Sequence, residues 1–233
     1  MSKKILKADD GFNPRFVEGA DFDGLFDFPV IKPYNLSNPF PSILVPFSQR
    51  NKVKNKKEAF VCCYEYDTHF AELTQNPDAF IKDLKRFGGV ISPDNSVYRD
   101  MPFACIIGNI YRSRMVGYYL QKNGIPVITN IRWGADNTLY EPMWNGRPVA
   151  LNGAPKENVV AIGTYGCIKG RNNKIYFKKG LEVMINILKP KYVIVYGAMP
   201  EEIFGDFMYK TSFIRYDDWT TLKHRRGSLW EQG

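Results

Sequence analysis

Gly89-Val-Ile-Ser-Pro-Asp94, Val127-Ile-Thr-Asn-Ile-Arg-Trp-Gly134, Val159-Val-Ala-Ile-Gly-Thr-Tyr-Gly166 and Tyr192-Val-Ile-Val-Tyr-Gly-Ala198 share one design. Each is an apolar, largely β-branched run that stops abruptly in polar residues. Stretches with helical periodicity lie between them. That alternation implies a parallel sheet or barrel, whose ligands bind at the carboxyl ends of the strands. The reading therefore places a site before it names a chemistry.

Upstream, Ser42-Ile-Leu-Val-Pro-Phe-Ser48 is a first strand ended near Pro46, and Phe60 to Asp67 a second. Between them Arg50-Asn-Lys-Val-Lys-Asn-Lys-Lys57 carries cations without an acid. A helix follows, with Asn76 as N-cap, Pro77 in its first turn and Gly88 as its stop. Phe80, Ile81, Leu84 and Phe87 form its apolar stripe. A longer helix runs from Pro102 to Gly124. On one of its faces Arg114 stands among Ile107, Tyr111 and Tyr118. Two readings of Arg114 stay open: a stem on the core with a snorkelling head, or a contact to a buried carboxylate or anion.

Downstream of the fourth strand a polar loop holds Trp133, Asp136, Glu141 and Trp144. After the fifth strand comes a basic loop, Lys169-Gly-Arg-Asn-Asn-Lys174, and no acid falls between Glu157 and Glu182. Leu181, Met184, Ile185 and Leu188 mark an amphipathic helix ended by Pro190. Tyr192 to Tyr196 is the sixth strand, a short helix begins near Pro200, and Ser212 to Tyr216 is a candidate seventh strand. Six or seven β/α steps fit a compact or incomplete (β/α) barrel or an open doubly wound sheet. Even spacing and short connections favour the barrel. The expected organisation is an irregular N-terminal arm over 1–41, an α/β domain over 42–220 and a basic tail over 221–233.

The apolar fraction of 44% and charged fraction of 24% are those of an ordinary folded domain. A formal charge of +8 points to an anionic partner, although solubility alone also accounts for it. Cys62, Cys63, Cys105 and Cys167 have neither disulfide-framework nor zinc spacing, and His69 and His224 are the only histidines. No run spans a membrane, and the first residues lack the apolar core of a signal peptide, so a cytoplasmic protein is expected.

The parallel arrangement gathers the strand-end residues onto one rim. Candidate ligand contacts there are Ser92, Ser96, Asn130, Arg132, Trp133, Thr164, Tyr165, Gly166 and Tyr196, joined by Arg114. Both basic loops follow strands and are expected to overhang this rim. Small residues in Gly163-Thr-Tyr-Gly166 and Tyr196-Gly-Ala198 can expose backbone N–H groups to a phosphate, or serve only the geometry of the turns. Asp67, Asp94 and Asp136 are the candidate catalytic carboxylates. Asp94 is also the candidate ligand for a metal such as Mg²⁺, with a turn or cap role as the alternative. Rim aromatics with basic loops also suit nucleic acid.

Gly88-Gly-Val-Ile-Ser-Pro-Asp-Asn-Ser-Val-Tyr-Arg-Asp-Met-Pro102, Ile110-Tyr-Arg-Ser-Arg114, Gly124 to Gly134 and Ala161-Ile-Gly-Thr-Tyr-Gly166 together resemble the family catalogued as domain of unknown function 4417. That family is frequent in phages, prophages and plasmids of low-GC bacteria. The resemblance covers roughly residues 40 to 220 and implies a mobile-element origin; it supplies no activity. The residues themselves leave two functions open. One is a protein that binds a nucleotide or nucleic-acid phosphate at the rim, with metal-assisted phosphate-ester chemistry as its enzymatic form. The other is a non-catalytic binder that sequesters a nucleotide or caps a host or phage protein.

Overall fold

The computed structural model describes residues 13–134, 136–139 and 147–226. Glu141 and Trp144 of the fourth-strand loop lie outside the described residues, as do 1–12 and 227–233. The arm forms a short antiparallel ribbon of β1 (Phe22–Asp23) and β2 (Phe28–Pro29). Seven strands follow, four of their six connections carrying α-helices and two, among the described residues, only 3-10 turns. They are β3 (Ile43–Pro46), β4 (Ala59–Cys62), β5 (Gly89–Ile91), β6 (Val127–Asn130), β7 (Val159–Gly163), β8 (Tyr192–Tyr196) and β9 (Ser212–Tyr216). The helices are α1 (Ala71–Gln75), α2 (Asp78–Leu84), α3 (Phe103–Lys122), α4 (Arg171–Leu188), α5 (Glu201–Phe204) and α6 (Trp219–Arg226).

The strands pair in chain order, β3 to β9, and every pair is parallel. A doubly wound sheet would reverse its order at a switch point. Here each crossover advances the sheet the same way, and it curls into a half-barrel. Tyr216 at the end of the β9 edge donates its hydroxyl to the carbonyl of Pro41, ahead of the β3 edge, at 2.7 Å.

Both faces of the sheet are covered, which is why its strands read as continuous apolar runs. Leu44, Phe60, Cys62, Ile91, Ile128, Ala161 and Ile194 point inward and fill the half-barrel. The intervening Val45, Val61, Val90 and Val127 pack outward against α1 to α3. Val160, Ile162, Val193 and Val195 pack outward against α4 and α5. Burying each of these side chains contributes roughly 1.5–3 kcal/mol.

The arm decides which end of the half-barrel stays open. Tyr34 and Phe40 join the inner core. The Tyr34 N–H donates to Asn158 Oδ1 at 3.0 Å, and Asn158 Nδ2 donates back to the Tyr34 carbonyl at 3.1 Å. Phe40 meets the Tyr192 ring edge-on, with centroids 5.1 Å apart. Asn158 and Tyr192 stand where β7 and β8 begin, so this segment seals the amino end. The carboxyl ends remain accessible.

Some expectations change in detail. Gly124, with φ +80°, stops α3 in the left-handed region as a C-terminal glycine does. Gly88 has another reason: α2 ends at Leu84, and a Cβ on Gly88 would stand 2.4 Å from the Lys57 carbonyl oxygen. The stretch Arg171–Lys174 is the first turn of α4 and not a loop, because the helix begins ten residues ahead of Leu181 in its apolar stripe. The basic stretch after β3 does not overhang the rim as a whole. Arg50 Nε and Lys56 Nζ donate to Asp83 of α2 at 3.0 and 3.1 Å, and the Lys56 carbonyl accepts from Gly88 at the entry of β5. It runs down the outer wall, because Asp83 and the Phe47 and Phe80 rings offer Arg50 a better-paired place than open solvent.

Candidate functional site

A cavity of ≈ 830 Å³ opens at the carboxyl ends of β6 and β7. Arg132, Trp133, Gly134 and Asp136, which follow β6, form one side, and Gly163, Gly166 and Cys167 at the end of β7 form another. Tyr98, Arg99 and Asp100 enter from the loop after β5, and Asn173, Tyr176 and Phe177 from the first turns of α4. Trp133 lies across α4 because residue 180 is glycine; a Cβ there would stand 2.1 Å from its indole nitrogen. Its ring also meets Phe177, with centroids 5.0 Å apart. The Arg99 guanidinium sits 4.7 Å over the Tyr176 ring and donates to Asn173 Oδ1 at 2.9 Å.

A buried polar chain runs from the barrel interior to this cavity. Tyr64 donates its hydroxyl to Asn130 Oδ1 at 2.9 Å, and Asn130 Nδ2 donates to Asp94 Oδ1 at 2.7 Å. Arg132 Nη1 donates to Asp94 Oδ2 at 2.9 Å. The Tyr64 ring lies against Gly163 of β7, where a Cβ would stand 2.5 Å from it. It also stacks on Tyr196 at 4.9 Å. Burial pushes the Asp94 carboxyl above its usual value, against the Arg132 charge and the Asn130 hydrogen bond. Burial alone would lower Arg132, but Asp94 beside it raises its pKa, so the guanidinium keeps its charge. Burial likewise pushes the Cys167 thiol up despite Arg132, leaving it a neutral part of the wall.

Of the residues expected at the site, Arg132, Trp133, Asp136 and Gly166 line the cavity, with Asp94 and Asn130 directly behind Arg132. Ser92 supports Asn130 from below, its Oγ accepting the Asn130 N–H at 2.9 Å. Asp67 clamps the loop after β5. Its carboxylate accepts from the Ser96 hydroxyl at 2.6 Å and the Ser96 N–H at 3.0 Å. Thr164 ties the ends of β7 and β8, donating its hydroxyl to Ala198 O at 2.7 Å and its N–H to Tyr196 O at 3.0 Å. Tyr196 is buried and accepts the Trp219 N–H at 2.8 Å. Tyr165 points into solvent.

Arg114 lies elsewhere. It is 2% exposed, so its head does not snorkel, and the carbonyls of Asn130, Ala150 and Asn152 accept from it at 2.8, 2.9 and 2.8 Å. Burial and the nearby Arg147 push its pKa down to about 9, which leaves it charged at neutral pH. With all three of its nitrogens bonded to backbone it supports the end of β6 and does not enter the cavity. Among the described residues no three His, Cys, Asp or Glu side chains gather to hold a metal ion, and both Asp94 oxygens already have partners.

Tyr98, Arg99, Asn173 and Tyr176 were not among the expected contacts. The first two stand between β5 and α3, beyond the strand end on which the expected contacts were placed. The last two belong to α4, whose first turns show no apolar stripe of their own. No helix among the described residues is long and apolar enough to cross a membrane, and all four cysteines are free.

A family model described as Domain of unknown function (DUF4417) matches residues 20–217. The chain is 26% identical over 179 residues to the Gene 1 protein of Mycobacterium phage D29, covering 74% of this chain and 63% of that protein. It is 28% identical over 165 residues to the Gene 1 protein of Mycobacterium phage L5, covering 69% of each. The chain thus spans just under two thirds of the D29 relative. No solved structure matches it.

Proposed function

The chain belongs to the phage-borne family described as Domain of unknown function (DUF4417), and from that premise and the rim geometry we propose that its cavity binds an anionic, aromatic ligand of the nucleotide class. One observation carries the reading: a charged guanidinium, Arg132, stands in a cavity that Tyr98, Trp133, Tyr176 and Phe177 also line, with Arg99 set in charge against the carboxylates of Asp100 and Asp136. The volume of ≈ 830 Å³ suits a nucleotide-sized ligand. Tyr98, half exposed, offers a planar face to a base beside the buried Trp133 and Phe177, and Arg132 and Arg99 offer hydrogen bonds to a phosphate. The first turn of α4 has no acid and no side-chain cap, so its dipole adds to the attraction.

Binding is favoured over turnover. Asp94 holds Arg132 in place with one oxygen and Asn130 with the other, which makes it an orienting residue and not a free acid, base or metal ligand. In an infected cell such a protein would sequester a nucleotide or cap a nucleic-acid end in the cytoplasm.

Isothermal titration with nucleoside mono-, di- and triphosphates and with inorganic phosphate tests this. Saturable nucleotide binding is expected, weakened at least tenfold in Arg132→Gln and severalfold in Arg99→Ala, and falling with salt. Absence of saturable binding to every nucleotide in a protein that is folded by circular dichroism would overturn the reading.

A further inference from the structure

We infer that the rim takes a single strand of nucleic acid, of which the cavity holds one nucleotide; this rests on the binding reading above and names its substrate class. Tyr66, Tyr98 and Tyr165 follow β4, β5 and β7 and are 79%, 53% and 55% exposed. Because the strands are parallel, all three stand at the end of the half-barrel where the cavity opens. Core formation does not explain them, since most of each ring is in water. A mononucleotide would not use them all either, because Tyr66 and Tyr165 lie outside the cavity wall.

The spacing fits a strand. From β4 to β7 there are three steps of about 4.8 Å, roughly 14 Å in all. At about 3.4 Å per stacked base this is the length of roughly four nucleotides. Exposed aromatic faces accept any base by stacking, and cations beside them hold the backbone. Lys169 and Arg171 are exposed at the start of α4, in a stretch free of acids from Glu157 to Glu182. A duplex would hide its base faces inside its own stack, so an unpaired strand is the form that fits.

Fluorescence anisotropy with labelled oligothymidylate and oligouridylate of two, four, eight and sixteen nucleotides, competed with thymidine monophosphate and a blunt duplex, tests this. Affinity is expected to rise at least tenfold from the mononucleotide to the eight-mer and then to level off. Tyr66→Ala and Tyr165→Ala are each expected to cut the eight-mer's advantage about fivefold or more, with unchanged circular dichroism. The DNA and RNA series separate the two sources of strand. Equal affinity for mononucleotide and eight-mer would overturn this inference and leave the cavity reading standing. So would duplex binding as tight as single-strand binding. No binding of either mononucleotide or oligomer would overturn both.

Discussion

Arg114 Nη1 donates to the carbonyl of Asn130 at 2.8 Å, and the side chain of that same Asn130 holds Asp94 at 2.7 Å. A helix residue with no place in the cavity therefore positions the strand end on which Arg132 depends. Its other two contacts, to Ala150 and Asn152, fix the segment before β7. Asp23 of β1 reaches the same segment, its carboxylate accepting the Gly153 N–H at 2.8 Å and pairing with Arg147. The arm, α3 and the end of β6 are one hydrogen-bonded unit.

Arg114→Met should be among the most destabilising single substitutions in the chain. It strands three buried carbonyls, at roughly 1–3 kcal/mol for each one left without a partner. Arg114→Lys should recover only part, because an ammonium cannot reproduce the planar fork. Urea midpoints measure this, and amide exchange should rise first around residues 149–153.

Gly180→Ala should destabilise by about 1–3 kcal/mol, the usual cost of overpacking a filled core. The new methyl would fall on the Trp133 ring. Intrinsic fluorescence should shift as the indole leaves its place against α4. A stable variant with unchanged emission would mean that Trp133 does not lie on this glycine.

Asp94→Asn should lower stability and raise affinity for anions together. The amide still accepts from Asn130, but Arg132 loses its counter-charge and turns its field on the cavity. Phosphate or nucleotide titration should show severalfold tighter binding, alongside a lower melting temperature. Loss of binding would show that Asp94 meets the ligand itself.

Asp83 should make the protein sensitive to acid. Burial pushes its carboxyl up, but the hydrogen bonds and charges of Lys56 and Arg50 outweigh this and hold it below the usual value. Its folded-state pKa is thus lower than the unfolded value of about 3.9. The stability it contributes is present above that pH and is lost as pH falls through the folded value. Asp83→Asn should unfold at lower urea than the wild type at pH 7, and the gap should close as the pH falls through the folded-state pKa of Asp83.

The alternation of apolar runs with helical stripes was enough to place a parallel sheet and to favour a barrel form over a doubly wound order. These are matters of local periodicity and chain order, which a single sequence carries. The polar stops after β5, β6 and β7 were legible for the same reason. What each rim residue does was not. Asp67, Asp94 and Asp136 look alike as letters, yet one clamps Ser96, one holds Arg132 and Asn130, and one faces the cavity. Gly163 read as part of a phosphate cradle or a turn, and Gly180 carried no signal of its own; a Cβ at either would strike the Tyr64 or Trp133 ring. Arg114 read as a candidate anion contact, and its partners are carbonyls 16, 36 and 38 residues away. Such roles depend on which atoms the closed fold brings within hydrogen-bond reach, so only the tertiary structure could decide them.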